Sequence, residues 1–258
     1  PNYDWWEAPF YGIGLKVYDM LAGRYGFGPS KILTKDETLE RIPTIKRDGL
    51  RGGIIYYDGQ FDDARLLINL ARTASHQGAA LLNYARVVSL TKGGDGFING
   101  VMFEDLEAGT EHRARSRVVI NATGPFADHI CQMDDPNALP LISPSQGIHL
   151  VFDKSFLPGG SAIMVPHTKD GRVMFAIPYL GVTLVGTTET RFQGPPDRVA
   201  PRPAEIRYLK KALRHFFPDC RKALQGPVAA FAGLRVLPSG SGHAFQRSRE
   251  TRLVADRP

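Results

Sequence analysis

No apolar run in these 258 residues approaches the roughly 18 that a membrane span needs. The opening Pro1-Asn2-Tyr3-Asp4 lacks the charged-then-apolar order of a signal peptide, so the chain reads as soluble or peripheral. There are only two cysteines, Cys131 and Cys220, without metal-ligand spacing. That scarcity excludes a disulfide framework and reads as reduced thiols in a cytosolic protein. A glycine-rich G-x-G-x-x-G fingerprint is also missing. The clusters Gly12-Ile13-Gly14 and Gly23 to Gly28 have the wrong spacing and follow no strand-like run. Internal repeats and low-complexity linkers are absent. The net charge of +6 is spread along the chain and accompanies no nucleic-acid-binding motif.

What is present is ordinary globular material, 43% hydrophobic and 22% charged, enough for one large domain or two small ones. Asp62-Asp63 can cap a helix in which Ala64, Leu67, Ile68 and Ala71 recur at helical spacing and which Gly78 ends. Capping accounts for this acidic pair, and no metal site is expected. Strand-like runs follow at Leu81 to Leu90, Phe97 to Phe103 and His112 to Ile120, separated by glycine-bearing turns. From Pro140 the texture changes to short alternating runs, Ile148 to Phe152, Ser161 to Pro166, Val173 to Ile177 and Val182 to Thr187. This pattern predicts an antiparallel sheet. A basic helix over Ala204 to Phe217 places Ile206, Leu209, Leu213 and Phe216 on one face. Two strand-like pieces flank the loop Pro238 to His243.

The most informative string is Asn121-Ala122-Thr123-Gly124-Pro125, at the end of the β-branched run Arg117-Val118-Val119-Ile120. A strand that stops at a small-residue turn lets a ligand approach the backbone closely, since Ala and Gly put no bulk in the way. Four further strings keep order and spacing with it. They are Tyr57-Asp58-Gly59-Gln60-Phe61-Asp62-Asp63-Ala64-Arg65-Leu66, Ser145-Gln146-Gly147-Ile148-His149-Leu150-Val151, Val185-Gly186-Thr187-Thr188-Glu189 and Ala232-Gly233-Leu234-Arg235. Together the five resemble the FAD-dependent glycerol-3-phosphate dehydrogenases, in the D-amino-acid-oxidase-like branch of flavoproteins. Phe126 and Glu189 stand where that family often has Trp and Asp, changes that preserve chemical type.

The resemblance implies a mixed α/β (α+β) fold: an antiparallel-sheet substrate-binding cap, residues 1–58 and 140–232, and an incomplete glutathione-reductase-like FAD-binding domain, residues 59–139 and 233–258. It also implies an internal portion of a longer enzyme. The family's strand, glycine loop and helix that hold the FAD pyrophosphate have no counterpart in these residues, so the chain alone is expected not to retain FAD. The whole enzyme would pass hydride from C2 of glycerol 3-phosphate to FAD, giving dihydroxyacetone phosphate, and its electrons to a quinone at the cytoplasmic face of a membrane. A related oxidase that uses oxygen, a flavin oxidase of amino acids or amines, and a non-catalytic anion-binding module are the alternatives.

Oxidising a secondary alcohol requires hydride loss from carbon, proton loss from oxygen and a clamp for the substrate. Histidine suits the proton, because its ordinary pKa lies near neutrality. His149 lies in the string that resembles the family's catalytic-histidine segment. The resemblance makes Arg235 the residue that binds the reacting hydroxyl and stabilises charge on its oxygen, and Arg249 a ligand of the phosphate, with Arg247 and Arg252 as neighbours. Val87 would offer its backbone to the adenine, and Ala122, Thr123 and Gly124 would lie beside the adenosine.

Overall fold

The computed structural model describes residues 1–165, 173–220, 226–240 and 254. The chain divides into two compact units, residues 1–59 with 146–234, and residues 60–145 with 235–258.

The first unit opens with helix α1 (Glu7–Ala22), followed by β1 (Lys31–Thr34), α2 (Lys35–Arg41) and β2 (Gly52–Ile55). Helix α1 is apolar on nearly every face and leaves Phe10, Ile13, Met20 and Leu21 exposed. Gly12 and Gly14 lie within it, so that glycine cluster is helical and makes no phosphate loop. Helix α2 starts at a reciprocal cap: Glu37 N–H donates to Thr34 Oγ1, and Thr34 N–H to the Glu37 carboxylate. Lys31 donates to the same carboxylate at 2.8 Å, and its hydrogen bond leads the causes that hold the Glu37 pKa down at about 2.

The larger part of this unit is an antiparallel sheet. It comprises β6 (Ser145–Asp153), β7 (Ile163–Val165), β8 (Met174–Tyr179), β9 (Val182–Gly186), β10 (Thr190–Arg191) and β11 (Ala229–Arg235), with β6 between β9 and β11. In β6 the even positions Ile148, Leu150 and Phe152 are buried, while His149 and Val151 alternate with them. Side chains of a strand alternate between faces, so parity alone puts His149 on the face away from the core. Helix α5 (Pro203–Phe216) packs Leu209, Leu213 and Phe216 into that core, joined by Ile45, Phe156, Met174 and Phe217. The ring of Phe156 lies 5.2 Å from that of Phe152 and 4.8 Å from that of Phe217. The cationic residues Arg207, Lys211 and Arg214 stay exposed, as the helical spacing predicts.

The second unit holds helix α3 (Asp63–His76) and the meander β3 (Ala85–Lys92), β4 (Ile98–Asp105) and β5 (Thr110–Arg115), followed by α4 (Ala127–Asp134). Asp62 caps α3 by accepting from Arg65 N–H at 3.0 Å. One reading needs correction here. The run Arg117 to Ile120 forms no strand, because a strand exists only as half of a ladder and, among the described residues, no strand pairs with it; Val118 and Ile120 are exposed. Helix α3 stands as its spacing predicts, with its apolar stripe exposed, Leu67 67% and Ile68 52%. Cys131 and Cys220 form no disulfide, and burial pushes the Cys220 pKa up.

Candidate active site

In the second unit, Asn121 organises the small-residue turn. Its Oδ1 accepts from Thr123 Oγ1 at 2.7 Å, and its Nδ2 donates to the Ala127 carbonyl at 2.9 Å. The side chain thereby ties the turn to the first residue of α4. Gly124 has φ +58°, the left-handed region that glycine enters without strain. Ala122 and Thr123 are exposed, so the backbone at this turn is open to a ligand. Val87 is half-buried in β3, paired with Phe103, and the ladder bulges immediately after it. At the end of that strand Lys92 Nζ lies 2.6 Å from Asp134 Oδ1, joining β3 to α4. Val87 and the 122–124 turn therefore sit on two tethered elements of one unit.

In the first unit, His149 pairs across the sheet with Gly186, and its imidazole stacks on Phe231 of β11 with ring centroids 5.2 Å apart and planes 16° from parallel. Arg235, the last residue of β11, falls in the second unit and is half-buried. Arg249, Arg247 and Arg252 lie outside the described residues.

Beside His149 runs a buried polar network that sequence reasoning missed. Glu205, third residue of α5, accepts at one carboxylate oxygen from Gln146 Nε2 at 2.7 Å and Arg202 N–H at 3.1 Å. At the other it accepts from Thr188 Oγ1 at 3.1 Å and Thr190 Oγ1 at 3.0 Å. Thr188 Oγ1 in turn accepts the backbone N–H of Ile148 at 3.0 Å, one residue from His149. A charged acceptor at the third position of a helix matches the terminal N–H groups and the helix dipole. The signal was present as Pro203-Ala204-Glu205, a proline-led helix start with a carboxylate in its first turn. Its three side-chain partners come from strings that acquire proximity only in the fold. Glu205→Ala leaves buried donors unpaired and is expected to cost on the order of 3 kcal/mol. Chemical denaturation checks this, and a loss under 1 kcal/mol would show that water replaces the carboxylate.

The family model described as FAD dependent oxidoreductase matches residues 11–255. The chain belongs to the FAD dependent oxidoreductase family. Within that family, the chain is 37% identical to the mitochondrial glycerol-3-phosphate dehydrogenase of Mus musculus, over 99% of its own length and 36% of the relative's. It thus spans about a third of the length of this curated relative. Among solved structures, the glycerol-3-phosphate dehydrogenase of Bacillus halodurans complexed with FAD superposes with a TM-score of 0.75 at 32% identity, covering 81% of this chain and 42% of that one. The L-alpha-glycerophosphate oxidase of Mycoplasma pneumoniae shares the fold at a TM-score of 0.67 and 21% identity, over 91% of this chain and 60% of that one. Among the described residues, no helix of this family member is long and apolar enough to cross a membrane.

Proposed function

We propose that the full-length protein carrying this chain oxidises sn-glycerol 3-phosphate to dihydroxyacetone phosphate. The observation that carries the reading is the placement of His149. Strand parity sets it opposite the core, in the string Ser145 to Val151 that resembles the catalytic-histidine segment of glycerol-3-phosphate dehydrogenases, and this supports its reading as the proton acceptor. FAD, when bound, supplies the hydride acceptor. The small residues at 122–124, the exposed backbone there and the positive φ of Gly124 fit a nucleotide, with Ala122, Thr123 and Gly124 beside the adenosine and Val87 contributing backbone to the adenine. Residues 1–58 and 140–232 act as the substrate-binding cap, and residues 59–139 and 233–258 form part of the FAD-binding domain.

His149 takes the proton of the C2 hydroxyl as that carbon loses hydride. Arg235 holds the same oxygen and stabilises the charge that develops on it, and Arg249 grips the phosphate. Electrons leave to a quinone, through peripheral contact with the cytoplasmic face of a membrane. The test is anaerobic reduction of a soluble quinone by the purified full-length protein with FAD, run beside hydrogen peroxide formation in air. Glycerol 3-phosphate is expected to drive quinone reduction with little peroxide. Dominant peroxide would reassign the acceptor to oxygen, and flavin reduction by glycine but not by glycerol 3-phosphate would overturn the substrate.

A further inference from the structure

We propose that Phe231 and Gly186 are positioning residues that fix the orientation of the His149 imidazole, an inference that rests on the reading of His149 as the proton acceptor. Strand β6 lies between β9 and β11, so His149 has a neighbour on each side. On the β9 side that neighbour is Gly186, and the imidazole occupies the space a side chain there would fill. A Cβ on Gly186 would meet His149 Cδ2 at 2.3 Å, Nε2 at 2.6 Å and Cγ at 2.9 Å. Real carbon contacts do not come that close, so any residue larger than glycine expels the ring. On the β11 side, the Phe231 ring lies nearly parallel to the imidazole at 5.2 Å. One residue therefore leaves room for the ring edge, while the other covers a ring face.

The two constraints act on different coordinates. The bare backbone at Gly186 admits the tilt of the imidazole toward β9, and the phenyl face opposes rotation about the bond that joins the ring to Cβ. A base acts only from the correct geometry, and a displacement near 1 Å can cost about 10² in rate. Phe231 is itself 47% exposed, so its removal leaves no core cavity, and its loss should register at His149 more than in stability. Nothing in the local sequence announces this role. Phe231 stands eighty-two positions from His149, and only strand pairing brings the rings together.

The test has two arms. In the 258-residue chain, the ring-proton resonances of His149 are assigned by their loss in His149→Gln and then followed in Phe231→Leu, Phe231→Tyr and Gly186→Ala. Stacking shields these protons, so Phe231→Leu and Gly186→Ala should move them downfield, while Phe231→Tyr keeps them in place. In the full-length enzyme, Phe231→Leu should lower kcat roughly 10- to 100-fold with KM for glycerol 3-phosphate nearly unchanged, and Phe231→Tyr should restore it. Resonances that ignore Phe231→Leu overturn the proposal. So does wild-type kcat in Phe231→Leu when His149→Gln is inactive. If the resonances move but His149→Gln turns over normally, the ring clamp stands and the proton-acceptor reading fails.

Discussion

Replacing His149 with alanine in the full-length protein is expected to lower turnover by about 10² to 10⁴ while KM for glycerol 3-phosphate changes little. The asymmetry follows from the proposed role. A proton acceptor interacts with the C2 hydroxyl most strongly as the proton departs, so its loss raises the barrier without weakening the resting complex to the same degree. Core damage is not expected to confuse the result, because His149 lies on the strand face opposite Ile148, Leu150 and Phe152. Rapid-mixing measurement of flavin reduction under anaerobic conditions isolates the chemical step from reoxidation. An unchanged rate of flavin reduction in His149→Ala would remove this residue from the mechanism.

The arginines should separate by substrate. In the proposed role, Arg235→Ala removes a cation from the reacting oxygen, and losing one such donor typically costs about 10² to 10³ in turnover. The loss should be equal for glycerol 3-phosphate and unphosphorylated glycerol, because both carry the same C2 hydroxyl. Arg249→Ala should cripple only the phosphorylated substrate, which alone loses an ion pair. Specificity constants for both variants on both substrates decide the assignment. Equal losses on the two substrates for Arg249→Ala would move the phosphate to Arg247 or Arg252. A selective loss on glycerol 3-phosphate for Arg235→Ala would make that residue the phosphate ligand.

What could be read from the linear chain follows a physical divide. The cap of α3 at Asp62, the alternation of β6 and the apolar stripe of α5 are local patterns with one structural solution each, and all three stand in the fold. The run Arg117 to Ile120 is equally β-branched, yet strand formation depends on a second backbone, and none is described beside it. Helix α1 escaped notice for a different cause. Its residues are apolar without a polar face, so they carry no helical period to detect. In the candidate site, the proposal of His149 could start from the sequence because that residue belongs to a contiguous string. Glu205 and Phe231 were not legible there, since the first draws its side-chain partners from two distant segments and the second acts across a strand pairing.

The alternation in β6 also governs how this protein can vary. Substitutions at Ile148, Leu150 or Phe152 alter how much folded protein there is, whereas under the proposed role a change at His149 alters what the folded protein does. One strand thus carries two nearly independent channels of variation, interleaved residue by residue. Inserting or deleting a single residue between Gln146 and Phe152 would exchange the channels, sending imidazole into the hydrocarbon interior and isoleucine to the opposite face. Lineages descending from this sequence should therefore accumulate replacements in this segment while keeping its length invariant.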